Sequence, residues 1–205
     1  MANAFYLMKA IYDISYFNHS QTDARWTALS TRISQEFGGK YDAAVTRARS
    51  TDIILRQLER ELLEIINDAG TETPALSVDM LMALSDSWLF TSYDVIRSIA
   101  PWANAGTNTC RNIIALHDRL DLIRLPIATA EVRSTNRAVE QIHTFPQDSG
   151  TMSASIDPDR PSTVIEKQVC AETGTIIWFP IDRTANKPLP ICRLDLSNEF
   201  LSLFD

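Results

Sequence analysis

The stretch from Tyr41 to Asn67 constrains this chain more than any other, because its apolar and small residues recur at helical spacing over about seven turns. Tyr41, Ala44, Val45, Ala48, Leu55, Leu58, Leu62, Ile65 and Ile66 form the stripe, and Tyr41, Ala48, Leu55 and Leu62 within it are heptad-spaced. Asp42, Arg47, Arg49, Arg56, Glu59, Arg60 and Glu61, with Asp52 interleaved, read as a charged outer face in contact with water. A helix of this length spans roughly 40 Å, so other helices must lie along it. Burying its large side chains is worth roughly 10–15 kcal/mol, comparable with the net stability of a whole domain.

Three more helices flank it. Thr22 or Asp23 caps the first, which turns Trp26, Leu29, Ile33 and Phe37 inward and ends at Gly38-Gly39. Ser77 caps the second, with Asp79 in its first turn, Leu81, Leu84, Trp88, Val95 and Ile99 on one face, and Pro101 at its end. The third opens near Thr107 to Thr109, buries Ile113, Leu116, Leu120 and Ile123, and is kinked or ended by Pro126. Residues 3–17 suit a helix by the spacing of Met8, Ile11 and Tyr12 and a strand by their aromatic and β-branched content. Residues 128–142 have helical propensity and a thin apolar face.

Beyond Thr144 the character changes. Pro146, Pro158 and Pro161 mark a seam. Thr163–Ala171 and Thr175–Ile181 then read as a hairpin about Glu172-Thr-Gly174, with Leu189–Leu196 as a third strand and Ser197 capping a final helical turn. The expected fold is α+β and mainly α: an up-and-down helical bundle over 1–145, a Pro-rich connection over 146–162, and a three-stranded antiparallel β-meander over 163–205. Three strands cannot bury a face alone, so the meander is expected to pack on the bundle or on a second subunit.

Several functional classes are disfavoured at this level. A net charge of −7 argues against broad adhesion to nucleic acid or anionic lipid, although 15 of the 19 basic residues are Arg, which leaves room for a local basic patch. Cys110, Cys170 and Cys192 are odd in number and lack a Cys-x-x-Cys pair, which points to reduced thiols rather than a disulfide framework or a zinc site. The first residues lack a signal peptide's basic start and apolar core, and no run reaches the ~18 apolar residues of a membrane span. A cytoplasmic protein without cofactor or metal is expected.

One motif carries chemistry: Arg111-Asn112-Ile-Ile-Ala-Leu-His117, opening the last strong helix. An imidazole such as that of His117 suits proton abstraction from a ribose 2′-hydroxyl. Arg111 suits a bidentate grip on phosphate, with Asn112 orienting it. Arg followed by a polar residue and, a few positions on, by His resembles the signature of the HEPN superfamily, over residues 22–145 only. That resemblance implies a helical bundle with metal-independent RNA cleavage or RNA binding, of toxin–antitoxin or phage-defence type, with Arg111, Asn112 and His117 as the site. Six residues separate Arg111 from His117, about 120° around a helix, so convergence is expected across a homodimer. The contrasting expectation is a catalytically silent interaction module whose C-terminal β region docks a protein partner.

Other candidates read as structural. Glu140-Gln-Ile-His143 has the helical carboxylate–imidazole spacing of di-iron bundles but occurs once where two are needed. Arg137 and His143 repeat the loose Arg–His spacing without the polar follower. Cys110 opens a helix, yet His117 lies two turns on, too far to activate it, so an inert buried thiol is expected.

Overall fold

The structure, a computed structural model, describes residues 3–68, 75–129, 142–145, 152–155, 165–182 and 187–205. Five long helices run up and down in chain order: α1 (Ala4–Asn18), α2 (Ser20–Phe37), α3 (Asp42–Asn67), α4 (Ala75–Ile99) and α5 (Asn108–Thr129). Short strands β1 (Ile142–Phe145) and β2 (Met152–Ser155) pair antiparallel, with Ile142 opposite Ser155. Strands β3 (Glu166–Val169), β4 (Ile176–Phe179) and β7 (Ile191–Cys192) form an antiparallel sheet in that order. Strands β5 (Ile181–Asp182) and β6 (Lys187–Pro188) make a small ladder between them, and α6 (Arg193–Leu201) closes the fold. The result is a mainly helical bundle with a small three-stranded antiparallel sheet near the C-terminus.

Helix α3 is the axis, with α1, α2 and α4 packed along it. Val45, Ala48, Leu55 and Leu62 are buried, as the heptad spacing predicts, while Ile66 at the frayed end is exposed. Gly38 ends α2 with φ 89, a conformation that costs glycine little. Trp26 from α2 and Trp88 from α4 are fully buried. The sheet joins the same core: Ile176, Trp178 and Ile191 are buried with Leu196 and Phe200 of α6, and Phe200 packs on Trp26 at 5.2 Å between ring centroids.

The charged face of α3 is where the sequence reading fails. Asp52 and Glu59 are buried, not solvated, and both ligate Arg193, which is itself fully buried. Arg193 donates from Nε and Nη2 to the two Glu59 oxygens at 2.5 Å and from Nη1 to Asp52 Oδ1 at 2.5 Å. Asp52 Oδ2 accepts from Trp26 Nε1 at 2.8 Å and from Arg56 Nε at 2.9 Å. Thr175 Oγ1 donates to Glu59 at 2.6 Å, and Arg56 reaches on to Ser197 and Asn198 at 2.8 and 2.9 Å. The Trp88 ring lies 5.6 Å from the Arg193 guanidinium. Four formal charges balance, and α2, α3, α4, the hairpin turn and α6 are joined through one buried node. Burial, which pushes the Asp52 carboxyl up, is outweighed by Arg193, by Arg56 and by hydrogen bonds from Trp26 and Ser197, which hold it below the ordinary range.

Local boundaries differ in ways the same physics explains. Helix α2 starts at Ser20, ahead of Thr22 and Asp23, and Asp23 is drawn into a bidentate pair with Arg49 at 2.6 and 2.8 Å. Helix α4 starts at Ala75, so Ser77 lies inside it. Helix α5 runs past Pro126 to Thr129 instead of ending there. The third strand is two residues long, because Arg193 is pulled into the buried node and begins α6; Ser197 is therefore a mid-helix residue rather than a cap. Strand β2 falls within the stretch expected to be a plain connection. Residues 3–17, open between helix and strand, form α1. The expectation for residues 128–142 falls mostly outside the described residues.

Candidate functional site

Helix α5 is launched by a turn at Gly106 (φ 86) and capped by Thr107, whose Oγ1 accepts from the Cys110 amide at 3.1 Å. Arg111 and Asn112 in the first turns are exposed, and Arg111 donates to Asn108 Oδ1. Cys110 is buried. Two turns on, His117 is half-buried, with Nδ1 3.3 Å from Asp118 Oδ1. Its ring packs on Tyr93 of α4, 5.4 Å between centroids and tilted by 32°.

Arg111 does not share that setting. The cation on the same Tyr93 ring is Arg124, whose guanidinium lies 4.3 Å from its centroid and 3.5 Å from Asp121 Oδ1. Arg124 Nε is buried without a partner. Positions 117, 121 and 124 fall within about 60° on the helical wheel, whereas Arg111 is about 120° away. Tyr93 is thus the plate on which an imidazole and a guanidinium both rest, and burial, then its hydrogen bond with Asp121, raises its phenol. The spacing of four and seven residues was visible in the sequence and was the signal for Arg124.

One turn further along α4, Arg97 borders an open cleft of about 600 Å³ shared with Lys40, Tyr41, Ser98, Pro101 and Trp102. Trp102 is 68% exposed, whereas Trp26, Trp88 and Trp178 are fully buried. Lys40 Nζ stands 5.0 Å from the Tyr41 ring and 5.6 Å from the Trp102 ring. Tyr41 is fixed by its hydroxyl donating to Ser98 O at 3.1 Å. Arg97 makes only a loose 3.9 Å approach to Asp94, with both side chains exposed. The arrangement offers a flat aromatic face flanked by two cations, which suits a base and its phosphate.

Among the described residues no group of three or more His, Cys, Asp or Glu stands close enough to hold a metal ion. His143 lies in β1 rather than on a helix, and Glu140 and Arg137 are outside the described residues. Among the described residues no helix is long and apolar enough to cross a membrane. Comparison with protein-family models, with curated proteins and with solved structures finds no match to this chain.

Proposed function

We propose that this chain is an HEPN-like helical protein that binds single-stranded RNA across the α4–α5 face, with His117 positioned to act on the bound strand. The observation that carries the reading is the cleft of Lys40, Arg97 and Trp102; one helical turn before Arg97 on α4 stands Tyr93, whose ring packs on His117 and Arg124. An unpaired base stacks on Trp102, and Lys40 and Arg97 neutralise adjoining phosphates. A single strand fits better than a duplex because one exposed indole offers one stacking platform. Cleavage at this face has His117 take the 2′-hydroxyl proton while the 2′ oxygen attacks phosphorus. The bond to the 5′ oxygen breaks, the leaving oxygen takes a proton from solvent, and a cyclic phosphate remains. Arg124 shares the Tyr93 ring with that imidazole, and Arg111 and Asn112 contribute only where a second copy brings them in.

Fluorescence anisotropy with a labelled single-stranded RNA tests binding, and gel analysis of the same RNA tests cleavage. Trp102→Ala and Lys40→Ala/Arg97→Ala are each expected to weaken binding about tenfold or more, and the double substitution to flatten the salt dependence. Absence of binding by the wild-type chain, or variants that bind as it does, would overturn the RNA reading. If His117→Ala or Arg111→Ala cuts as fast as wild type, that residue leaves the catalytic set.

A further inference from the structure

Helix α1 is held firmly on one side and bare on the other. Ser15 is fully buried, the Tyr16 hydroxyl lies 3.3 Å from Ser50 Oγ, and Asn18 donates to Gln57 at 3.0 Å. The guanidinium of Arg49 lies 5.7 Å from the Tyr16 ring centroid. On the opposite side Tyr6, Leu7, Ala10, Ile14 and Phe17 fall within about 100° of one another and face solvent. Leu7, Ala10, Ile14 and Phe17 step by three, four and three, the spacing of a two-helix seam.

We infer that this face is the contact between two copies of the chain, paired through their α1 helices. Three measures single out a second copy as the occupant. First, Phe5, Tyr6 and Phe17 are 71%, 68% and 84% exposed, and Leu7, Met8 and Ile14 are at least half exposed. Of these, Tyr6, Leu7, Ile14 and Phe17 lie on the bare face and present roughly 500 Å² of apolar surface, at the upper end for the largest patch of an ordinary monomer, and two such faces bury about the 1,000 Å² that a small interface needs. Second, the helix carries only Lys9 and Asp13, which pair with each other, so two copies meet without the repulsion expected of chains at −7. Third, the same neutrality gives no attraction to an anionic membrane, which needs a basic flank. Small Ala10 in mid-seam lets the two backbones approach.

The interface is separate from the α4–α5 face, since α1 packs on α3 and α2 while α5 packs on α4 and α6. The inference therefore stands whether or not RNA is the ligand. Sedimentation velocity of the full chain between about 1 and 100 µM, a range that brackets a micromolar dissociation constant, reads the assembly. The wild-type chain is expected to sediment at twice the monomer mass. Leu7→Asp and Phe17→Asp, made separately and together, are expected to shift it to monomer, raising the dissociation constant about 100-fold for the pair. Circular dichroism is expected to show unchanged helicity and melting, because neither side chain enters the core; Lys9→Gln is the control that leaves the dimer intact. A wild-type monomer throughout the range, or a dimer indifferent to both substitutions, overturns the inference. So does a monomer that loses cooperativity on Phe17→Asp, since the face is then covered by the chain's own segment.

Discussion

Replacing Arg193 with alanine removes the one cation that ligates both buried carboxylates. Asp52 keeps Arg56 and Trp26, and Glu59 keeps only Thr175. Breaking a buried pair from one side typically costs about 3–5 kcal/mol, because the stranded charge remains without water. For a chain of this size that is a fall in Tm of roughly 6–20 °C. The sign with pH is also determined. In the wild type the Asp52 carboxyl is held low, so its contribution is present above its unfolded value, about 3.9, and is lost as pH falls through the lower folded one. In the variant Arg193 no longer opposes burial, which leaves Arg56 and the hydrogen bonds from Trp26 and Ser197, so the carboxyl rises and protonation as pH falls relieves the buried charge. Urea unfolding followed by circular dichroism should therefore show a large loss at pH 7 that shrinks toward pH 5. Asp52→Leu/Glu59→Leu/Arg193→Met, which removes the charges together, should recover most of it. A loss equal at both pH values, or a triple variant worse than the single one, would refute the account of this node as a charge balance.

Three further outcomes follow from named contacts. Gly174→Ala should destabilise by about 1–3 kcal/mol in urea melts, since φ is +67 and the added methyl would meet Glu59 O at 2.1 Å. Trp178→Ala, which empties a fully buried site and removes the indole's hydrogen bond to Asp86, should cost about 3–5 kcal/mol by the same measurement. His19, whose imidazole burial and the charges of Arg56 and Arg60 hold below its usual value, should make stability fall as pH drops below about 6.5. His19→Gln should flatten that slope in a pH series of unfolding midpoints.

Much of the architecture was legible in the sequence because it is written locally. The heptad-spaced Tyr41, Ala48, Leu55 and Leu62, the glycines at 38–39 and the turn at Gly174 each specify their structure within a few residues. The buried node was not, since Arg193 lies 134 residues from Glu59 and no local pattern announces the pairing. A trace existed: Val45, Asp52 and Glu59 form their own heptad line beside the apolar stripe, so the charges sat at positions a helix buries on two sides. Their burial also changes what truncation means. Deleting residues 150–205 removes Arg193 and Trp178 from the core, so it reports on folding rather than on a detachable docking module.

For the site, the sequence pointed to α5 and to Arg111, Asn112 and His117. Arg111 fits a linear motif, whereas Arg124 and His117 are brought to one Tyr93 ring of another element by helix periodicity, a tertiary relation that no linear motif carries. The exposure of Trp102 follows from the tight turn at Ala100–Trp102, which swings the indole off the buried face of α4.

The four indoles supply the most direct test of the proposed RNA-binding surface. In a 15N-labelled sample each tryptophan side chain gives its own indole resonance, and three of the four are sealed in the core. On titration with a short single-stranded RNA, the Trp102 signal alone should shift, saturating with the anisotropy curve. A Trp102 signal that stays still while RNA binds, or four signals that move together, would contradict the assignment of the α4–α5 face.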